Sequence, residues 1–283
     1  MIFLKIGLAL SGGGVKGAAH IGVIAALIEN QIDFDIIGGT SSGAIVATLY
    51  SMGYTPDEML KLFNYFSKIV MKNSPTYTHP DGKKALSIHM GGLLSGENIS
   101  FAINEAAKYK KIEKMSDLNK IILIPAVDVD NSKKYVFTNS KINEENYIIN
   151  GKIDMAVRAS CSYPGVFAPC VYRTHKFVDG GILDNIPADE VKKAGADFII
   201  AVKFALNRNS KTRGIYGVAS KSIDIMFEKN SKSEVKVADY LINIDTKDVS
   251  LLDIKRISDC YRYGYEQTLS KISEIKEKLQ EKI

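Results

Sequence analysis

Length, composition and charge place this chain among ordinary globular proteins. Its 283 residues, 46% hydrophobic and 24% charged, suffice for one large α/β domain or two small ones. The net charge of +5 is mild and spread along the chain, which argues against a nucleic-acid partner and leaves only weak attraction to anionic lipid surfaces. The three cysteines, Cys161, Cys170 and Cys260, lack metal-type spacing, which predicts reduced thiols in a cytosolic protein and no metal site.

The first ten residues are apolar apart from Lys5 and run directly into Ser11 and a run of glycines. Without a basic n-region or a small-residue cleavage site, this stretch is predicted to be the first core strand rather than a signal peptide. No apolar run approaches the roughly 18–20 residues that a membrane-spanning helix needs. We therefore expect a cytoplasmic protein whose membrane contact, if any, is peripheral.

Predicted strands and helices alternate along most of the chain. Apolar runs predict strands at residues 2–10, 34–38, 121–127, 135–138, 176–178 and 198–203. Helical periodicity and end signals predict helices at residues 16–30, 44–52, 56–71, 99–108 and 188–194. This alternation predicts an α/β fold of three layers, in which a largely parallel central sheet is flanked by helices on both faces.

Two segments interrupt the alternation. Residues 72–96 carry two prolines and four glycines and are predicted to form a long loop, either a lid or a solvated insertion. Residues 207–217 are polar and predict a linker. We therefore divide the chain into a catalytic domain at 5–205 and a linker with a mostly helical C-terminal segment at 206–283. Its last helix has Leu269, Ile272, Ile275 and Leu279 on one face, which favours packing on the core.

A serine lies between glycines where the second strand gives way to a helix. The sequence Gly39-Thr40-Ser41-Ser42-Gly43 has the G-x-S-x-G pattern of a sharp strand–turn–helix. Such a turn holds the Ser41 hydroxyl clear of the chain, and side chains in place of Gly39 or Gly43 would collide as strand and helix close on each other. The helix N-terminus after Ser41 also presents unpaired N–H groups to a developing anion. We interpret Ser41 as a nucleophile.

A glycine-rich turn, Gly12-Gly13-Gly14-Val15-Lys16-Gly17, follows the first strand and opens the first helix. It fits the G-x-G-x-x-G dinucleotide pattern, so a nucleotide-binding or regulatory protein is the alternative function. That pattern needs an acid at the exit of the second strand, whereas Asp33 and Asp35 lie at its entry. The other use of such a turn is an oxyanion hole, in which bare N–H groups converge on a negative oxygen. Adjacent turns on neighbouring strands favour acyl transfer.

The residue that activates Ser41 is not an evident histidine. His20 lies inside the first predicted helix, His79 and His89 lie in the long loop, and His175 precedes a short strand. Asp179 ends that strand, is followed by Gly180-Gly181, and is placed to reach over the sheet edge toward Ser41. A carboxylate becomes a plausible base where burial raises its proton affinity and an oxyanion hole stabilises the product of the same step. We hypothesise a Ser41–Asp179 dyad, with a histidine swinging in from a loop as the alternative.

The glycine turn, the Gly39–Gly43 serine turn and Asp179-Gly180-Gly181 follow one another in this order. With these three motifs, the chain closely resembles the patatin-like phospholipase family over roughly residues 8–203. The connecting segments agree, including Ala18-Ala19-His20-Ile21-Gly22, Arg158-Ala159-Ser160, Pro164-Gly165-Val166-Phe167 and Asp184-Asn185-Ile186-Pro187. The resemblance implies hydrolysis of lipid acyl esters, such as phospholipids or lysophospholipids, without metal or cofactor. It implies the dyad above and an oxyanion hole in the glycine turn, which we assign to Gly12, Gly13, Gly14 and Val15. Supporting positions are Lys16, which is usually basic in the family, and Gly17, Gly39, Gly43, Gly180 and Gly181.

Overall fold

The computed structural model describes residues 4–72, 76–78, 84–86, 92–205 and 214–282. Its helices are α1 (Ala18–Glu29), α2 (Ser42–Ser51), α3 (Pro56–Lys72), α4 (Glu97–Tyr109), α5 (Ile153–Ser160), α6 (Ala188–Lys193), α7 (Gly214–Glu234), α8 (Ile257–Leu269) and α9 (Ile272–Gln280). Its strands are β1 (Ile6–Leu10), β2 (Ile36–Gly39), β3 (Thr76–Thr78), β4 (Lys84–Leu86), β5 (Gly92–Leu94), β6 (Ile121–Asp128), β7 (Lys133–Thr138), β8 (Tyr147–Ile149), β9 (Gly165–Phe167), β10 (Cys170–Tyr172), β11 (His175–Asp179), β12 (Phe198–Phe204) and β13 (Tyr240–Ile244).

The main sheet has nine strands, of which seven follow the order β10-β11-β6-β2-β1-β12-β13, while β7 and β8 branch from β6. The five strands from β6 to β13 are parallel. Successive residues of β1 point to opposite faces: Leu8 and Leu10 join the larger apolar core, and Ala9 joins the smaller one. Both faces are therefore covered by helices, and the predicted fold class is confirmed.

The antiparallel edge of the sheet positions the segment Asp179-Gly180-Gly181. Gly38 of β2 pairs with Leu123, so β6 continues well beyond the end of β2. β11 runs antiparallel along this overhang and ends with Asp179 opposite Ala126. Ala126 is three residues beyond Leu123, the partner of Gly38, and Ser41 is three residues beyond Gly38 itself. Ala126 and Ser41 therefore lie at the same level of the sheet. Asp179 thus reaches the serine turn from the direction opposite to the parallel strands.

Several predicted boundaries are wrong by a few residues, and one predicted loop is wrong in part. The segment at 72–96 contains the paired strands β3 and β4, and β5 pairs in parallel with β9. Most of the remainder of that predicted loop, including His79 and His89, lies outside the described residues. The same holds for residues 207–213 of the predicted linker, whose last four residues are wrong because they begin α7. The first helix begins later than predicted, because residues 14–17 form a 3-10 turn in which Gly14 has a φ of 57°.

The C-terminal segment is built into the core. β13 extends the sheet by pairing with β12, so this segment is not only helical. α8 crosses α1 at two glycines: a Cβ on Gly22 would lie 2.1 Å from the Tyr261 carbonyl oxygen, and one on Gly264 would lie 2.0 Å from that of Ala19. In α9, Ile272 and Ile275 are buried, so the last helix packs on the core as expected.

Candidate active site

Ser41 occupies the sharp turn between β2 and α2. It is the residue preceding α2 and has a φ of 54° with a ψ of −120°, a conformation that L-residues rarely adopt. A Cβ on Gly39 would lie 2.3 Å from the Gly43 carbonyl oxygen, and one on Gly43 would lie 2.5 Å from that of Leu10. The strand and helix therefore close on each other through glycines and hold the serine in this strained turn.

Asp179 is completely buried beside that turn. Its Oδ1 accepts the Gly181 N–H at 2.9 Å, whereas its Oδ2 has no hydrogen-bond partner among the described residues. Burial raises the pKa of Asp179 to about 7, while the nearby Ser41 hydroxyl and the Gly181 N–H act in the opposite direction. A carboxyl group with this pKa exchanges its proton easily near neutral pH.

The Ser41 hydroxyl thus lies close to the Asp179 carboxyl but forms no well-aligned hydrogen bond with Oδ2. Cys161 adjoins the pair; burial and the Asp179 carboxylate raise the pKa of its thiol, which keeps it protonated. All three cysteines are buried and free of disulfides. The structure brings the predicted serine and acid together, and one carboxyl oxygen accepts no hydrogen bond from the residues that the structure describes.

The glycine turn leaves two of its four assigned N–H groups available. The Gly12 N–H donates to Asn185 Oδ1 at 3.1 Å and to the Asn185 carbonyl at 3.3 Å, and the Val15 N–H donates to the Leu251 carbonyl at 2.8 Å. The N–H groups of Gly13 and Gly14 have no acceptor among the described residues. The candidate oxyanion donors are therefore Gly13 and Gly14, while Gly12 and Val15 anchor the turn.

Asn185 and Glu234 support the glycine turn, and neither was assigned a role from sequence. The Asn185 side chain lies between the two glycine motifs, because its Oδ1 is 2.9 Å from a Cβ built on Gly12 and 3.1 Å from one on Gly181. Glu234, at the end of α7, accepts the N–H of Asn185 at 3.1 Å and that of Ile186 at 2.9 Å. Burial raises the pKa of Glu234 to about 7, with the Asp184 carboxylate adding to the effect. The proximity of Glu234 to Asn185 arises only from tertiary folding.

Helix α5 supports the dyad from the other side. The hydroxyl of Ser160 accepts the Ser41 N–H at 3.0 Å, and the Ser162 carbonyl accepts the Asp179 N–H at 3.0 Å. Arg158 is buried and donates to the Ser162 hydroxyl at 2.6 Å and to the Ala168 carbonyl at 2.6 Å. The Arg158–Ser160 segment noted in the sequence therefore fixes the backbone of both Ser41 and Asp179.

The dyad opens into a cavity of about 530 Å³. Apolar side chains from α3, α4, the β9 strand and the C-terminal segment line much of it, including Phe63, Phe66, Val70, Ile103, Val166, Phe227 and Leu251. Charged groups including Lys16 and Asp224 also line it; burial lowers the pKa of Lys16 and raises that of Asp224, and each charge opposes the shift of the other. The cavity therefore has an apolar part that suits the hydrocarbon chain of a ligand and a charged part that suits a polar group of the same ligand.

Close approaches explain further glycines of the motifs. A Cβ on Gly17 would lie 2.6 Å from the Ser42 Cβ, one on Gly180 would lie 2.3 Å from the Pro125 carbonyl oxygen, and one on Gly181 would lie 2.7 Å from the Phe227 ring. Each of these glycines thus lets two elements of the site touch.

The two described histidines do not face Ser41. His20 is buried, its Nε2 donates to the Ser11 carbonyl at 2.8 Å, and burial lowers its pKa to about 4. His175 lies 2.7 Å from the Asp128 carboxylate at the sheet edge. Asp33 and Asp35 both precede β2, away from the end of the strand where a ribose would bind.

The described part of the chain contains neither a metal-type cluster nor a membrane-spanning helix. Within those ranges, no group of three or more His, Cys, Asp or Glu side chains is arranged to hold a metal ion. None of the described helices combines the length and apolar character required to cross a membrane.

Comparisons with known proteins place the sequence beside one family. The sequence profile described as patatin-like phospholipase matches residues 8–192. Lysophospholipase NTE1 of Meyerozyma guilliermondii is 32% identical over 197 residues, which are 70% of this chain and 12% of that protein. An uncharacterised NTE family protein of Mycobacterium bovis is 32% identical over 199 residues, which are 70% of this chain and 48% of that protein. This chain thus spans about an eighth of the NTE1 lysophospholipase and about half of the mycobacterial protein.

Among solved structures, VipD from Legionella pneumophila has a similar fold. Its TM-score is 0.53 with 13% sequence identity, and the alignment covers 96% of this chain and 67% of VipD. At that identity the likeness concerns the fold alone. Because the covered part extends beyond residue 192, the C-terminal segment belongs to the shared architecture.

Proposed function

The chain belongs to the patatin-like phospholipase family, and we propose that it hydrolyses acyl esters of lipids with Ser41 as nucleophile and Asp179 as general base. The observation that supports this proposal most is the proximity of the strained Ser41 turn to a buried carboxyl group whose Oδ2 has no hydrogen-bond partner in the described part of the chain. The protein would work without a metal or cofactor.

In the first step, Asp179 Oδ2 takes the Ser41 proton while Ser41 Oγ attacks the ester carbonyl carbon. The carbonyl electron pair moves to the oxygen, where the N–H groups of Gly13 and Gly14 and the N-terminus of α2 stabilise the negative charge. Collapse of this intermediate releases the alcohol, which takes the proton from Asp179 and leaves an acyl group on Ser41.

In the second step, Asp179 takes a proton from water, and the resulting hydroxide attacks the acyl-enzyme. Collapse returns the proton to Ser41 and releases the fatty acid. Burial makes Asp179 a sufficiently strong base for both steps, and the oxyanion donors lower the barrier further.

The apolar wall of the cavity would hold the acyl chain, and the wall near Lys16 would hold the head group. The NTE1 relatives are named lysophospholipases, which makes lysophospholipids the first substrates to test. Diacyl phospholipids and acylglycerols are the other members of the proposed substrate class, and a membrane surface is the expected source of substrate.

A fluorophosphonate probe and a panel of lipid esters test the proposal. We expect labelling and hydrolysis with the native chain, neither with Ser41→Ala, and a loss of at least about 10³-fold in turnover with Asp179→Asn. Ser42→Ala is the matched control, since its buried hydroxyl has no partner among the described residues. Equal hydrolysis by the native chain and Ser41→Ala would refute the nucleophile. Binding of NAD or ATP without labelling would favour the nucleotide-binding alternative.

A further inference from the structure

Helix α7 has two chemically different faces. Its inner face lines the cavity with side chains that include Asp224, Phe227, Glu228 and Ser231. Its outer face exposes Val218 by 55%, Ile225 by 52% and Met226 by 55%. Large apolar side chains exposed together on one helix face are uncommon in an isolated globular chain and indicate a surface that binds something.

The charges of α7 are sorted between the same two faces. All three of its acids are turned inward: Glu228 pairs with Lys203 at 3.2 Å, Glu234 accepts backbone N–H groups, and Asp224 lines the cavity. Its exposed lysines Lys229 and Lys232, together with Lys236 just beyond the helix, face solvent. The outer face of α7, which we define as Val218, Ile225, Met226, Lys229, Lys232 and Lys236, therefore combines apolar and cationic groups and carries no acid.

Two further exposed leucines lie close to α7 or to the cavity. Leu183 is 46% exposed and follows Ile182. The Ile182 carbonyl accepts the side-chain N–H of Asn230 at 3.1 Å, and Asn230 lies one turn along α7 from Met226. Leu252 is 44% exposed and is itself part of the cavity lining. Because the inner face of α7 lines the cavity, a flat partner that covered its outer face would lie against the helix that forms one wall of the cavity.

We propose that the outer face of α7 docks on the surface of an anionic lipid bilayer. A helix with apolar residues on one side and lysines beside them lies in the plane of such an interface, with the apolar side chains among the acyl chains and the ammonium groups near lipid phosphates. The absence of acids from this face makes its charge complementary to anionic lipids rather than to neutral ones. Docking would place the cavity next to the membrane, and it requires no hydrolytic step.

Binding to vesicles of phosphatidylcholine, with and without an equal amount of phosphatidylglycerol, tests the inference on the full chain. We expect sedimentation with the mixed vesicles, weaker binding to phosphatidylcholine alone, and a decrease as salt is raised. The double variant Ile225→Glu, Met226→Glu should bind at least about tenfold more weakly, because it replaces the two exposed apolar side chains that would enter the acyl-chain region. Lys229→Glu with Lys232→Glu should also lose about tenfold or more on mixed vesicles.

A matched control lies at the opposite edge of the sheet. Val171 on β10 is 69% exposed and pairs in register with the exposed Lys176 of β11, so Val171→Glu with Lys176→Glu makes the same kind of change away from α7. Vesicle binding by this control should equal that of the native chain. Equal loss in the control and the α7 variants, or native binding by the α7 variants, would overturn the inference. Failure of the native chain to bind mixed vesicles would also overturn the inference. This outcome includes the case in which the outer face of α7 binds a second copy of the chain instead of a membrane.

Hydrolysis of a short water-soluble ester separates this inference from the proposed function. All variants should keep the native rate, since none of the changed residues touches the dyad or the glycine turn. A native chain that binds anionic vesicles but hydrolyses no ester would refute the hydrolase proposal and leave the docking surface intact. If the α7 variants lose both soluble-ester activity and vesicle binding, they are misfolded. The single variant Lys229→Glu is then tested instead, after its thermal unfolding midpoint has been shown to equal that of the native chain.

Discussion

The carboxylate of Glu234 accepts the backbone N–H of Asn185 at 3.1 Å, although 49 residues separate them in the chain. Asn185 in turn accepts the N–H of Gly12, so the end of α7 is linked to the first glycine of the candidate oxyanion turn. Support for this candidate turn thus comes from beyond the region matched by the family profile.

This linkage predicts that Asn185 is a positioning residue. Asn185→Ala removes the side-chain acceptor of Gly12, so we expect kcat to fall by about 10- to 100-fold with little change in KM, because the oxyanion donors act mainly in the transition state. Steady-state kinetics on a soluble ester measures this split. Asn230→Ala is the control, since that nearby amide on α7 bonds the Ile182 carbonyl and not the glycine turn. Equal effects of the two substitutions would contradict the prediction.

The pKa of Asp179 predicts how hydrolysis depends on pH. A general base must be deprotonated, so kcat/KM should rise with pH through about 7 and level off above it. Because the pKa of Glu234 is also raised to about 7, the profile should be measured in Glu234→Gln as well. A rise near pH 7 that persists in this variant belongs to Asp179. A flat profile in both proteins would exclude Asp179 as the base.

The same burial predicts that Asp179 destabilises the fold above neutral pH. Its pKa is about 7 when folded against a model value of 3.8, so the folded state binds the proton more tightly. Stability from this group is present below about pH 4 and is lost progressively as pH rises toward 7. Asp179→Asn should therefore be more stable than the native chain at pH 8, by up to about 4 kcal/mol, with the difference vanishing near pH 4. Denaturant unfolding of both proteins across this pH range measures the difference, and a difference that does not grow with pH would contradict the prediction.

The integration of the C-terminal segment predicts that residues 1–205 do not form a stable catalytic unit. Without the rest, β12 loses its partner β13, α1 loses α8, and the Val15 N–H loses the Leu251 carbonyl. We expect this fragment to lack a cooperative unfolding transition and hydrolytic activity, and residues 206–283 added in trans to restore part of both. Circular dichroism and ester hydrolysis would measure this. A fragment that unfolds cooperatively with native activity would uphold the domain boundary expected from the sequence.

The sequence alone determined the fold class, the strained serine turn and the candidate acid, for local reasons. The spacing Gly39-x-Ser41-x-Gly43 between a strand and a helix allows few backbone paths, and alternation of strands and helices allows few sheet topologies. These features depend on residues close together in the chain, where sterics restrict the outcome.

Only the tertiary structure decided which groups surround the dyad. Pairing of β11 with the overhang of β6 brings Asp179 level with Ser41. α7 and the Leu251 loop bond Asn185 and Val15, whereas the Gly13 and Gly14 N–H groups have no acceptor within the described ranges. The outer face of α7 likewise emerges only when the helix has its acids turned inward. Such contacts join segments far apart in the chain, and their energies come from burial and hydrogen bonding between partners that no local pattern specifies.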